Sequence, residues 1–403
     1  MTLARISRFG PLALLALFAT SCAVPLGPGF HTEKELLEVR FVPGSPPHLE
    51  VRATYRLKNS GNAPLDALDI SLPDEKDFGR QNLRITVDGA AVSPQSLASN
   101  APDAATTRIA FAAPWPQKSK RTLVVSYQLA ASSDTERSFG LDASSFVLST
   151  GGWYPQPRAP EGLFARGDAP PLRFIFSVFV PDGFLVHAAG HPQGRKRRAA
   201  ETEFRFRITA DDFSPFVVAG RYHEQQFKDS GRVITFWSLQ PLPPDQIQRA
   251  APRLSATAEI FAKLFGPMQA RKRSYPLWIV ETPFPPPQNS PGTRLAQAGH
   301  APGVALVSSS AFAKTVESEE FLALVERAWA STWTQHVVRP APGADEFLAD
   351  ALTRYAILVA DQARRGEPAR LSYASEFLNS YDAACPGNKE IPVALLEQEN
   401  HGM

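Results

Sequence analysis

Leu49-Glu50-Val51-Arg52-Ala53-Thr54-Tyr55-Arg56-Leu57 alternates apolar and polar side chains. Successive side chains of a strand point to opposite faces, so this spelling predicts a strand with one buried and one solvated face. Asn59-Ser60-Gly61-Asn62 follows as a turn. Leu83 to Val87, with the Asp88-Gly89 turn, repeats the scheme. So do Arg108 to Phe111, Thr122 to Leu129, Phe174 to Val180 and Phe204 to Ile208. Many short strands divided by turn signals predict an antiparallel β-sandwich over the first half of the chain. Ser93 to Thr107, rich in Ala, Ser, Asn and Pro, reads as a surface loop.

After Gly220 the character changes. Tyr222 to Phe227 and Arg232 to Leu239 predict one more strand pair. Ile247, Ala251, Leu254, Ala258, Phe261 and Phe265 then mark one stripe of a helix that stops before Gly266-Pro267. Leu277 to Glu281 and Gly303 to Ser308 are short apolar strands, and Thr315 to Val338 and Ala344 to Ala363 are helical. Glu317, Glu319 and Glu320 suit the first turn of the former, where the helix dipole favours negative charge. The expectation is a multi-domain chain: a β-rich domain over residues 22–220 and an α+β domain over 221–403. There is no internal repeat.

With 43% hydrophobic and 20% charged residues among 403, the composition is that of a folded chain, neither disordered nor polytopic in a membrane. Its 37 prolines fall in short clusters, which punctuate loops. Two cysteines exclude a disulfide-stapled fold. One of them closes a leader: Arg5 and Arg8, then an apolar run from Phe9 to Ala19, then small residues up to Cys22. That is an export signal, too short in its apolar part to span a bilayer. Ala19-Thr20-Ser21-Cys22 resembles the lipobox of bacterial lipoproteins, which implies acylation of Cys22 after removal of residues 1–21. Ala23 in place of aspartate implies the outer membrane, with the protein facing the periplasm. Losing Arg5 and Arg8 brings the formal charge from +2 to balance, which argues against nucleic acid as a partner. With Cys22 acylated, Cys385 has no intrachain partner and is either buried or a free thiol.

Further segments appear in a particular order. They are Gly151-Gly152-Trp153-Tyr154-Pro155, Val180-Pro181-Asp182-Gly183, Phe261 to Gly266, Leu277 to Glu281, and Gly299-His300-Ala301-Pro302-Gly303-Val304. Leu324-Val325-Glu326-Arg327-Ala328-Trp329-Ala330-Ser331-Thr332-Trp333 and Phe347-Leu348-Ala349-Asp350-Ala351-Leu352-Thr353-Arg354-Tyr355 follow. Together they resemble the aminopeptidase N (gluzincin) family of zinc metallopeptidases over most of the mature chain. The resemblance implies a saddle-like β-domain followed by a thermolysin-like α+β domain. It makes the last two segments the zinc helix and the helix of the third ligand.

The chemistry of that family needs H-E-x-x-H on a helix, two imidazoles one turn apart with a glutamate to activate zinc-bound water. Here Glu326 and Ala330 stand at the histidine positions, Arg327 at the general-base position and Asp350 at the ligand glutamate. That register has one residue more than the family spacing before Asp350. A shift by one restores the spacing and gives Arg327, Ala328 and Ser331, no better as a zinc set. His300 replaces the glutamate that grips the substrate amine. The family's stabilising tyrosine and helical carboxy-terminal domain would lie beyond Met403.

Other features carry simpler readings. His187 and His191 have metal-ligand spacing only on a helix, and Gly190 and Pro192 place them instead at a strand end or turn. Arg195-Lys196-Arg197-Arg198 reads as a solvated hairpin tip, with anionic lipid headgroups as the functional alternative. Trp329 and Trp333 read as core, or as filling for a lost metal cavity. Glu326 and Asp350 read as members of structural ion pairs, with Arg327 and Arg354 nearby. The expected function is a lipid-anchored, non-catalytic envelope protein without a cofactor, binding an unidentified protein or peptide partner. The alternative is a zinc-dependent peptidase with an atypical ligand set, or a truncated remnant of one.

Overall fold

A computed structural model describes residues 29–93, 95–96, 105–130, 139–148, 152–158, 173–209, 215–229, 232–267, 269–270, 273–274, 276–283, 296–298, 303–334, 345–369, 371–372 and 375. The chain divides into two compact units, neither continuous in sequence. The first comprises Met1–Ser132, Gly151–Asp182 and Gly190–Pro215; the second comprises Ser133–Thr150, Gly183–Ala189 and Phe216–Met403. The sequence suggests one boundary near residue 220, beside the last of these crossings. The earlier crossings are made by segments spelled like ordinary strands.

The first unit is built on an eight-stranded sheet. Its spatial order is β14 (His191–Arg198), β15 (Glu201–Ile208), β12 (Arg173–Pro181), β1 (Phe30–Val42), β2 (His48–Asn59), β8 (Lys120–Ala130), β4 (Arg80–Val87) and β5 (Ala90–Ala91). Strand β2 is the alternating stretch at Leu49, and Leu49, Val51, Ala53, Tyr55 and Leu57 are all buried while Arg52 and Arg56 are exposed. One pairing corrects the expectation of a wholly antiparallel sandwich: β1 runs parallel to β12, from Lys34 opposite Arg173 to Arg40 opposite Phe179. Side-chain alternation has the same period in both arrangements, so strand spelling does not encode direction.

A second sheet of the same unit, β11 (Gln156–Arg158), β3 (Leu65–Leu72), β7 (Ala105–Trp115) and β6 (Gln95–Ser96), carries the buried Leu68, Ile70, Ile109 and Trp115. A single helical turn, α1 (Glu75–Phe78), leads into β4. Strands β6 and the start of β7 fall inside the stretch from Ser93 to Thr107 expected to be loop. Two residues of pairing are too short to show a period. Trp153, from the Gly-Gly-Trp-Tyr-Pro landmark, is fully buried and donates its indole N–H to the Pro215 carbonyl at 3.0 Å. Tyr127 donates its hydroxyl to the Trp153 carbonyl at 2.8 Å.

One acid lies on the buried face of β1. Glu35 is opposite Tyr55, is 6% exposed, and its Oε1 has no hydrogen-bond partner. Burial pushes its carboxyl up to about 8. Tyr55 spends its one proton on the Pro155 carbonyl. Tyr55 also hydrogen-bonds Glu35, which partly offsets that rise, and a protonated Glu35 can donate to the Tyr55 oxygen.

The second unit has a five-stranded sheet in the order β17 (His223–Asp229), β18 (Arg232–Ser238), β21 (Leu277–Thr282), β23 (Val304–Ser308) and β22 (Ala296–Ala298). Its three central strands are parallel and its two edges antiparallel. Parallel neighbours need a crossover, and the first is the predicted helix, α2 (Pro244–Phe265). Helices α3 (Ser309–Phe312), α4 (Glu319–Trp333) and α5 (Asp345–Arg365) follow the sheet. One core joins Ile234, Phe236, Leu277 and Ile279 of the strands to Leu254 and Phe261 of α2 and to Val325 and Trp329 of α4. Trp237 and Trp278 alternate with those strand residues and so point to the other side. There they meet His187 of a four-stranded sheet made of β13 (Leu185–Ala188), β16 (Val217–Gly220), β10 (Ser145–Leu148) and β9 (Phe139–Leu141). A short hairpin, β19 (Gln269–Ala270) with β20 (Arg273–Ser274), completes the described strands.

Candidate functional site

Helix α4 starts at Glu319, four residues after the expected Thr315, and Glu317 lies before its first turn, because Ser318 caps it. The Ser318 hydroxyl accepts from the Phe321 N–H at 3.3 Å, and Glu319 and Glu320 occupy the first turn. Most of its circumference is covered: Phe321, Leu322, Val325, Glu326, Ala328, Trp329, Ala330, Thr332 and Trp333 are all buried. Arg327 is exposed and Ser331 half-buried, one turn apart on the more open side.

Glu326 is the polar centre of the helical layer. It is 2% exposed and accepts from Arg253 Nε at 3.1 Å, from Thr257 Oγ1 at 2.8 Å, and from Arg364 Nη1. The same Arg364 nitrogen donates to Thr257 Oγ1 at 2.7 Å, and the guanidinium also reaches Asp361. Arg365 Nη2 holds the second Asp361 oxygen at 2.7 Å. Arg253 extends outward to Glu319, and its hydrogen bond holds that carboxyl below the ordinary glutamate value. An isolated carboxylate would be costly here, whereas two guanidinium groups and a hydroxyl converge on its Oε1.

The expected ion pair therefore exists, but its arginines come from α2 and α5 and not from the neighbouring Arg327. They lie 73 and 38 residues from Glu326, beyond the reach of local reading. A signal was nevertheless present. Arg253 and Thr257 stand one turn apart beside the apolar stripe of α2, and Asp361 and Arg364 do the same beside that of α5.

Trp329 and Trp333 are core residues. Trp329 is fully buried and donates to the Trp278 carbonyl at 3.3 Å; Trp333 donates to the Gly266 carbonyl at 3.1 Å and meets the Phe261 ring at 5.7 Å. Ala330 is fully buried. The end of α4 meets α5 through Thr334 and Thr353, whose hydroxyls are 3.0 Å apart. Asp350 lies on α5 three residues before Thr353, and its side chain is outside the described residues. His300, Cys22 and Cys385 are also outside them. Among the described residues no three His, Cys, Asp or Glu side chains converge as a metal site.

The two spaced histidines are in strands. His187 in β13 stacks on Trp278 at 4.4 Å and meets Trp237 and Phe216 edge-on. Burial among those rings pulls its pKa down to about 4. His191 opens β14 opposite Arg207. The basic run ends that strand, with Arg198 held by Glu203 at 2.6 Å and Arg197 by Asp182, before a turn in which Ala199 has φ of 45°.

The described architecture is similar to solved structures of M1 zinc metallopeptidases. A point mutant of the enzyme from Deinococcus radiodurans superposes with a TM-score of 0.59 at 15% identity, covering 91% of this chain and 77% of that one. The unmutated enzyme from the same organism gives 0.58 at 14% identity with the same coverage. A two-domain M1 mutant bound to L-arginine gives 0.57 at 15% identity, covering 87% and 75%. The chain has the fold of the M1 zinc metallopeptidases. At such identities the M1 likeness is one of fold, and it agrees with the aminopeptidase N resemblance read from the sequence. No protein-family profile matches the chain, and no curated protein is significantly similar to it in sequence.

Proposed function

We propose that this chain is a lipid-anchored envelope protein that keeps the M1 fold, with a thermolysin-like second domain, and does not hydrolyse peptides through zinc. It would act as a binding or complex-forming protein for a protein or peptide partner. The observation that carries this reading is the engagement of Glu326. The carboxylate at a would-be ligand position is already bound by two guanidinium groups and a hydroxyl, and Ala330 beside it offers a methyl group.

The alternative register fits the open side of α4 better, because Arg327 and Ser331 share it, and it restores the family spacing to Asp350. It offers zinc a guanidinium and a hydroxyl. Catalytic zinc takes three protein ligands drawn from imidazole, thiolate and carboxylate, and a fixed cation among them repels the metal. In neither register do the residues present fit zinc.

The test is elemental analysis of purified protein after loading with zinc and dialysis, together with turnover of aminoacyl reporter substrates. We expect far less than one zinc per chain and no turnover. About one zinc per chain, lost on changing Asp350→Ala or Glu326→Ala, would overturn the proposal.

A further inference from the structure

We infer that the solvent face of the eight-stranded sheet is an electrostatic docking surface for an anionic lipid bilayer. Alternation puts Leu37, Val51, Val125 and Phe176 on the buried face, so residues of opposite parity form the other. Six strands place exposed cations there, among them Lys196 on β14, Arg207 on β15, Arg173 on β12, Lys34 on β1, Arg52 on β2 and Arg84 on β4; Arg198, Arg205 and Arg56 on the same face are each paired with an acid. None of the six has an ion-pair or hydrogen-bond partner among the described residues. The acids on this face are the exposed Glu50, the half-buried Glu201 and Glu38, the latter opposite Arg52, and the buried Glu203 opposite Lys196.

The placement is uneconomical for the sheet alone. Lys34 stands directly opposite Arg173 on one side and Arg56, itself paired with Glu33, on the other. Like charges in register across strands destabilise a sheet unless counter-charge is supplied. Yet the whole chain carries a formal charge of only +2, so the basic face is a local segregation. With strands about 4.8 Å apart, the cations from β14 to β4 spread over roughly 30 Å, a field that suits an array of phosphates better than a single anion.

The choice of a bilayer rests on the lipid-anchor reading. Strand β1, which belongs to this sheet, starts at Phe30, and each residue after Cys22 spans at most about 3.5 Å. An acylated Cys22 would keep the face within reach of the headgroups, where each basic residue adds to affinity and salt screens it.

The experiment uses the full chain carrying Cys22→Ser, so that no acyl chain contributes, floated with phosphatidylcholine vesicles with and without phosphatidylglycerol. We expect binding to the phosphatidylglycerol vesicles only, with release at high salt. Combined Lys34→Glu, Arg52→Glu and Arg173→Glu should weaken it at least tenfold. Reversal of Lys228, Lys263 and Lys314, exposed cations elsewhere, should leave it within about twofold. If the triple variant does not fold, Arg84→Glu with Arg207→Glu serves the same purpose. Absence of binding, equal binding to neutral vesicles, equal weakening by the control set, or capture by soluble heparin but not by vesicles would each overturn the inference. Fatty-acid labelling of the unaltered chain reports on the anchor separately, so failure of the anchor reading is distinguishable from failure of vesicle binding.

Discussion

Two buried glutamates show how the same side chain takes opposite roles. Glu326 is matched by Arg253 and Arg364, whereas Glu35 is set among apolar residues and tyrosines with one oxygen unpartnered. Holding the Glu35 proton up to about pH 8 has a definite consequence for stability. Below the ordinary glutamate value both folded and unfolded chains carry the proton. Between that value and about 8 the unfolded chain releases it while the folded chain retains it, so stability falls as pH rises and levels off above. Each unit of difference corresponds to about 1.4 kcal/mol, so the decline is on the order of a few kcal/mol. Glu35→Gln keeps a neutral donor and should abolish this part of the decline. Urea unfolding at pH 5 and pH 8 should show the variant gaining on the native chain at the higher pH. Parallel pH profiles for the two proteins would refute the assignment.

At the scale of elements, α2, α4 and α5 are joined both by a shared apolar core and by the Glu326 cluster. Apolar burial turns each stripe toward the shared core, and the Glu326 hydrogen bonds tie one face of α4 to α2 and α5. Arg364→Met should cost about 3–5 kcal/mol, because it leaves Glu326 buried and half neutralised. Adding Glu326→Leu to that variant should recover a large part of the loss, since Arg253 keeps Glu319 and no unmatched carboxylate remains. Denaturant titration of both single variants and the double checks this; strictly additive losses would mean that the cluster is not coupled. The helices themselves were legible from their stripes and from Glu319 and Glu320, though the start of α4 was expected at Thr315 and not after Ser318. Their mutual orientation was not, because the arginines that fix it are remote in sequence from the acid they hold.

At the scale of the molecule, the two units are each assembled from separated segments of chain. How the whole would be held at the envelope is a matter for Cys22. Labelling cells with a fatty acid should mark the native chain and leave Cys22→Ser unmarked. Equal label in both, or none in either, would remove the anchor from the account and with it the reason for choosing a bilayer as the partner of the basic face.

What the sequence determined by itself is whatever one segment can express alone. The alternation from Leu49 to Leu57 gave β2 its buried face, and the stripe from Ile247 to Phe265 marked α2. The absence of H-E-x-x-H is likewise a property of the string. Tertiary structure alone decided the rest. It set β1 beside β12 in parallel, placed Arg253 and Arg364 on Glu326, and gathered cations from six strands onto one face. The physical reason is the same in each case. Period fixes which way a side chain points along its own element, but which elements become neighbours depends on burial and charge matching across tens of residues, and no local spacing records that.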